Sequence, residues 1–335
     1  MLPTGHPGRP DAGPTVSVAL CTYNGERFIE EQLRTILAQE TPAMEVVVSD
    51  DGSTDSTVAI IKAIAASAPA ATPIRLVHTE RVGGVALNFD RAIAECHGDI
   101  IALSDQDDRW NPQRLTTIVE LLASHEAPTL VFGDATLIDA RGDLLPGTLR
   151  DGLRLTRSER ASLDGGRPFQ ALVRRNLVTG AVSAFTRDLY ELSTPFPYLW
   201  VHDEWLAIMA AGLGRVIPTT EVLGAYRLHD ANQIGIPEGS VGSRLTRMLA
   251  PRGDRYERLR DRSAMLAARL AEKGAPKRVL SLARRKEAFE AARARYPRRR
   301  LARAAPIVAQ FVRGNYRRLS SQGGLDAIRD LAQPA

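Results

Sequence analysis

The stretch TVSVALCTYNGERFIEEQLRTILAQETPAMEVVVSDDGSTDST, Thr15 to Thr57, holds one complete strand–helix–strand unit. Thr15–Asn24 is apolar and rich in β-branched residues, which predicts a strand. Glu26–Gln39 sets Phe28, Ile29, Leu33, Ile36 and Leu37 at helical spacing. Met44–Ser53 is a second apolar strand, and a helix capped near Ser53 or Thr54 runs on through VAIIKAIAAS. The alternation continues with Ile74–Glu80 as a strand, Leu87–Cys96 as a helix and Asp99–Asp105 as a fourth strand. NPQRLTTIVELLASH is the fourth helix, with Asn111 as its cap and Pro112 at its first position. Four such units predict an α/β fold, a mostly parallel central sheet flanked by helices.

In sheets of this kind ligands bind beyond the carboxyl ends of the strands. That rule brings CTYN, SDDGS and SDQDD to one edge. In the last of these, Asp105, Asp107 and Asp108 put three carboxylates in four positions. Crowded carboxylates raise one another's pKa unless a cation is present. Asp-x-Asp suits a hard divalent ion that keeps coordination positions open for phosphate oxygens. Taken alone, SDQDD is also a solvated acidic turn, and SDDGS a turn feeding a helix cap. Beyond TLVFGDATLID the alternation weakens into a Gly- and Arg-rich excursion, Arg141–Pro168. A helix–strand unit over Phe169–Leu192, a helix from about Asp203 closed by Gly212 or Gly214, and a short strand in EVLGAYRLHD follow.

Composition bounds the class. The 335 residues are 44% hydrophobic and 25% charged, ordinary values for a globular protein. No apolar run approaches the roughly 18 residues of a membrane span. Residues 1–14 read as a disordered Pro/Gly-rich leader, and Cys21 and Cys96 as buried free thiols of a reducing cytoplasm. The net charge of +5 is uneven: residues 241–335 hold 24 Lys/Arg against 8 Asp/Glu, leaving 20 against 31 elsewhere. Three domains are expected: the leader, an α/β domain over 15–240, and a basic helical extension over 241–335. The extension reads as amphipathic helices broken at Gly274, Pro297 and Pro306. Such helices form a solvated face, or attach to an anionic membrane surface. Nucleic-acid binding has only charge in its favour, with no motif beside it.

The segments VSVALCTYNGERFIEEQLRTILAQ, VVVSDDGSTDST, ALSDQDDRW, NLVTGAVSAF, HDEW and YRLH give the chain a specific likeness. In order and spacing it resembles family 2 glycosyltransferases, most of all the rhamnosyltransferase-like branch, from about Val16 to Gly235. The resemblance implies the type A nucleotide-sugar-binding fold and an inverting transfer. The donor would be a nucleoside diphosphate sugar, with rhamnose suggested by the branch, and the acceptor a polysaccharide or lipid-linked glycan. It implies a Mg2+ or Mn2+ cofactor with Asp107 as main ligand, Asp105 near ribose and metal, and His229 beside them. Tyr23 and Asp51 would contact the base, Arg227 and His229 would fold over the diphosphate, and Asp203 would be the general base. Cys21 departs from a hydroxyl residue found in some members, which leaves the choice of base open. The residues alone also allow Asp203 as a simple helix cap and His229 as a surface loop residue. A nucleotidyltransferase on the same fold, or a nucleotide-sugar-binding protein without transfer, are the rival readings. The first would want a Gly-rich basic loop after strand one, which CTYNGERF is not. Localisation is expected to be cytoplasmic, peripheral at the inner face of the plasma membrane.

Overall fold

The computed structural model describes residues 13–123, 127–230 and 252–334. The expected leader lies outside them up to residue 12, and the expected boundary at 240 lies outside them altogether. The first half is built as the apolar spacing requires: β1 (Val16–Thr22), α1 (Ile29–Leu37), β2 (Glu45–Asp50), α2 (Thr57–Ser67), β3 (Ile74–His78), α3 (Val85–Ala94) and β4 (Ile100–Ser104). There follow β5 (Arg109–Trp110), α4 (Arg114–Leu122), β6 (Thr129–Ile138), β7 (Leu144–Thr148), α5 (Leu149–Gly152), α6 (Arg157–Asp164) and α7 (Pro168–Leu172). The α/β part closes with β8 (Ser183–Thr186), α8 (Arg187–Ser193), α9 (His202–Leu213) and β9 (Arg215–Arg227).

The sheet has nine strands in the order β3-β2-β1-β4-β8-β6-β9-β5, with β7 paired to β6. It is parallel from β3 to β4, while β8 runs antiparallel to both β4 and β6, so the second half is mixed. β1, β2 and β4 are buried at every residue, which is why they read as continuous apolar runs. Their side chains alternate between two cores. Val18, Leu20, Val46, Val48 and Ala102 meet Ile29, Leu33 and Ile36 of α1 on one face. Ala19, Val47, Ile101 and Leu103 meet Phe89 of α3 and Trp205 of α9 on the other.

Some local signals resolve differently from the expectation. α2 begins at Thr57, not at Ser53, because the Ser53 hydroxyl and amide both donate to Asp50. α4 begins at Arg114; Asn111 and Pro112 form the turn before it. The short strand expected near the end is 13 residues long.

After residue 252 come the helices Arg255–Glu272, Lys277–Ala294, Arg300–Val312, Asn315–Leu319 and Gly324–Ala332. Pro306 sits inside the third without breaking it. The first pair shares the core of α9: Leu266, Ala267 and Leu270 join Trp205 and Met209 there. The approach is close, since a Cβ added at Gly212 would stand 2.7 Å from Leu270. Trp200 and Trp205 are used in this core, with both indole N–H groups donating to backbone carbonyls.

Candidate active site

The carboxyl ends of β1, β2 and β4 open into a cavity of about 810 Å³, within the usual range for small-molecule sites. The loops that floor it are tied together. The Asn24 amide donates to the Ser53 hydroxyl at 2.8 Å, the Thr54 amide to Asn24 Oδ1 at 2.9 Å, and the Gly25 amide to the Thr57 hydroxyl at 2.8 Å. Gln106 of SDQDD joins the same unit: it accepts from the Tyr23 amide at 2.8 Å and donates to the Tyr23 carbonyl at 3.1 Å. Gly25 allows this approach, because a Cβ there would collide with Gln106 Oε1.

The three carboxylates of SDQDD divide. Asp105 and Asp107 line the cavity. Asp108 is turned behind it, where it accepts the Arg227 amide at 3.0 Å. Beneath them Arg114 is fully buried, donating to the carbonyls of Ala181 and Leu103 at 2.6 and 3.0 Å. Burial, then the charges of Asp107 and Asp203, push Asp105 up to about 7. Burial, then Asp107 and Asp105, push Asp108 well above the carboxylate range. Arg114 does not neutralise the cluster, and its own pKa is brought down to about 9 by burial.

Asp107 Oδ2 lies 2.8 Å from His229 Nε2, and the His229 ring packs 4.8 Å from Phe28. Among the described residues no three His, Cys, Asp or Glu side chains form a ready metal cluster. The donor set still fits a hard divalent ion of the Mg2+ or Mn2+ kind. Such ions take one or two protein ligands and complete their shell with water and phosphate oxygens. The charge balance points the same way, since the lining carries Asp51, Asp105, Asp107, Asp139, Asp203 and Asp230 against Arg27 and Arg141.

Asp203 enters the cavity from the first turn of α9. Its oxygens accept the Gly180 amide at 3.0 Å and the Glu204 amide at 2.6 Å, so its carboxyl is aimed by backbone. Burial lifts it to about 6, opposed by the Gly180 amide and helped by the Glu204 charge. Val201, not Asp203, is the N-cap of α9, so Asp203 stands inside the first turn with an open face on the cavity.

Two expected residues are placed otherwise than their assigned roles suggest. Asp51 lines the cavity, but its carboxylate already accepts the amides of Val82, Gly83 and Gly84, the last two at 2.9 and 3.2 Å. Arg227 is not in the lining. Its guanidinium donates to Glu31 at 2.6 Å, to the Asp107 carbonyl at 2.7 Å and to the Asp139 carbonyl at 3.2 Å, stacked 4.8 Å over Phe28. It braces the SDQDD turn from behind.

Sequence reasoning missed Arg27, Arg141, Gly180 and His202, all of which line the cavity. His202 is buried against Phe89 at 3.9 Å, its two ring nitrogens meet no hydrogen-bond partner among the described residues, and burial drives its pKa to about 3. It is neutral. The signal was present in HDEW, where a histidine precedes the acid. Cys21 also reaches the cavity, as a neutral thiol raised well above its ordinary pKa by burial.

Residues 17–175 match the family model for Glycosyl transferase family 2. Over that span the α/β core matches the family. An uncharacterized glycosyltransferase of Nostoc sp. is 27% identical over 65% of this chain and 66% of its own length. A dTDP-rhamnosyl transferase of Shigella flexneri is 36% identical over 32% of this chain and 38% of its own. The chain thus spans less than two thirds of either curated relative. A mannosyltransferase of Pyrobaculum calidifontis, solved with GDP-Man and Mn2+, superposes with a TM-score of 0.52 at 24% identity, covering 91% of this chain and 77% of its own. That likeness establishes the type A glycosyltransferase fold. No described helix is long and apolar enough to cross a membrane.

Proposed function

We propose that the cavity takes a nucleoside diphosphate sugar and that the chain transfers the sugar, with inversion, to a hydroxyl of a polysaccharide or lipid-linked glycan. The observation that carries this is a single juxtaposition: Asp105 and Asp107 from the end of β4 and Asp203 from the start of α9 line one cavity.

The chemistry follows from charge and position. A diphosphate carries negative charge into a lining of six aspartates and two arginines, so it enters together with a cation. Asp107 and His229 would hold Mg2+ or Mn2+, with Asp105 beside them. Once bound, such an ion supplies Lewis-acid stabilisation of the charge that grows on the leaving diphosphate. Arg27 and Arg141 are the lining cations placed to add to it. Arg227 holds the Asp107 turn in register and so acts by positioning.

Asp203 takes the proton of the attacking hydroxyl. A base with a pKa of about 6 is mostly ionised at neutral pH, yet binds a proton more strongly than an ordinary aspartate. Inversion requires attack from the side opposite the diphosphate, the task assigned here to Asp203. Tyr23 offers its ring to the nucleobase; Asp51 shapes the neighbouring wall by holding the 82–84 amides and adds an acceptor for base or ribose. Neutral His202 has two nitrogens for hydroxyls of the transferred sugar. The Shigella relative's name favours dTDP-rhamnose as the first donor to try, and the Mn2+ of the Pyrobaculum structure favours manganese as the first metal.

Calorimetry with dTDP-rhamnose, UDP-sugars and GDP-sugars, with and without Mn2+, tests this. The full chain should bind one donor class in a metal-dependent way, and Asp107→Ala should abolish that dependence without unfolding. A chain that binds no nucleotide sugar under any of these conditions refutes the reading.

A further inference from the structure

The helices Arg300–Val312 and Gly324–Ala332 are built inside out. In the first, Arg303 is fully buried, donating to the carbonyls of Pro297, Arg298, Asp330 and Gln333. In the second, Asp326 and Asp330 face inward at 2% and 0% exposure. With their polar faces committed to the interior, the opposite faces are apolar. Leu301, Val308 and Val312 recur along one stripe at 92%, 58% and 79% exposure. Leu325, Ile328 and Leu331 form the exposed stripe of the second helix. The two adjoin, because the Phe311 ring lies 3.8 Å from where a Cβ on Gly324 would stand.

Large apolar side chains exposed along two neighbouring helices mark an interaction surface, and their surroundings specify the partner. Arg298, Arg299 and Arg300 are exposed at one end of the first helix; Arg313, Arg317 and Arg318 are exposed at and just beyond the other. From Pro297 to Leu325 the sequence contains no Asp or Glu. An apolar strip bracketed by arginines and free of acids matches a surface whose interior is hydrocarbon and whose headgroups are anionic. A second copy of the chain would instead set arginine against arginine.

We propose that this helix pair lies in the interface of an anionic lipid bilayer, with the two stripes in the acyl boundary and the arginines at the headgroups. The surface is independent of the cavity chemistry, and it would hold the enzyme where lipid-linked acceptors are found.

Co-sedimentation of the full chain with phosphatidylglycerol and with phosphatidylcholine vesicles tests it, alongside the variant Val308→Ser/Val312→Ser/Ile328→Ser and size-exclusion light scattering. Wild type should pellet with phosphatidylglycerol, weakly with phosphatidylcholine, and keep part of its binding at high salt. The triple variant should bind about 100-fold more weakly while melting at the wild-type temperature, since it changes only exposed apolar groups. If that variant melts early, Leu301→Ser, at a still more exposed site, gives the same comparison. The proposal is overturned if wild type ignores phosphatidylglycerol, or if the variants bind it unchanged. It is equally overturned if wild type is a dimer that the variants dissociate without any vesicle binding, which makes the face a contact between copies.

Discussion

Asp105 at the sheet edge and Asp330 in the C-terminal helices are both buried aspartates, and their surroundings drive them in opposite directions. Asp105 meets burial and two further carboxylates, with one arginine beneath, and rises to about 7. Burial alone would raise Asp330 too, but Arg293 grips it through two nitrogens at 2.7 and 2.9 Å, and the hydroxyls of Tyr256 and Tyr316 donate at 2.6 and 2.7 Å. Those partners hold it below the ordinary carboxylate range. A buried acid with every lone pair used is a structural pin, whereas one left short of partners keeps its charge in reserve for something that arrives later.

The sharpest way to break this contrast is to neutralise one acid of each kind. Asp203→Asn should leave donor affinity intact and slow transfer by about 10²- to 10⁴-fold, as expected for loss of a general base. Wild-type transfer should itself decline as pH falls below about 6, where Asp203 gains its proton. The same variant should be more stable than wild type. Asp203 binds its proton more readily folded than unfolded, so its stabilising contribution is whole below about pH 4 and is lost as pH rises through about 6. Thermal melts at about pH 8 should therefore favour the Asp203→Asn variant over wild type by on the order of 1 kcal/mol, and melts at about pH 4 should not. Transfer within a few-fold of wild type would leave Asp203 with only a structural role, as acceptor of the Gly180 and Glu204 amides.

Asp330→Ala should do the reverse, destabilising by about 3–5 kcal/mol in urea titrations. Two nitrogens of buried Arg293 and the hydroxyls of Tyr256 and Tyr316 lose their acceptor, and among the described residues only Glu290 still pairs with Arg293. Its depressed pKa gives the matching sign: stability that Asp330 supplies above the carboxylate range is lost on acidification, so the wild-type advantage should shrink below about pH 4. A smaller effect is expected where packing alone is disturbed. Gly180→Ala would bring a Cβ to 2.9 Å from His202 Nε2, and overpacking of this kind destabilises by about 1–3 kcal/mol. The least is expected from the exposed helical pair Arg34–Glu30, 2.7 Å apart, whose removal should shift stability by about 0.5 kcal/mol or less. If the exposed pair proves as costly as Asp330, burial is not what makes the contacts of Asp330 strong.

The parts legible in the sequence are those whose burial is one-dimensional. β1, β2 and β4 are covered on both faces, so Val46, Val47 and Val48 spell a strand unaided, and the polar residues that end each strand are forced to one edge. Asp105, Asp107 and His229, just past the ends of β4 and β9, converge for that reason, while Asp203 reaches the same cavity from the first turn of α9. What is not legible depends on contacts made across the chain. Nothing local distinguishes Asp108, turned behind the wall, from Asp107 beside it, because the difference is the Arg227 amide. Arg227 in turn has the local context of a diphosphate ligand, yet Glu31 of α1 holds it. Pro306 signals a break, and the packing of Ile307 and Arg303 overrides it. The two-residue strand β5 has no period to read. The basic C-terminal helices look separable because their charge dominates their composition, while a few residues, Leu266 and Leu270 among them, join them to the α9 core.

The ties between the loops after β1 and β2 have a thermodynamic consequence. Asn24, Gly25 and Thr54 spend their amides on side chains of the opposite loop, so neither loop opens without the other. Backbone that is already ordered loses little conformational entropy when a ligand settles on it. The floor should therefore appear in hydrogen exchange as one slow cooperative unit even with the cavity empty, and a bound ligand should slow the whole unit together.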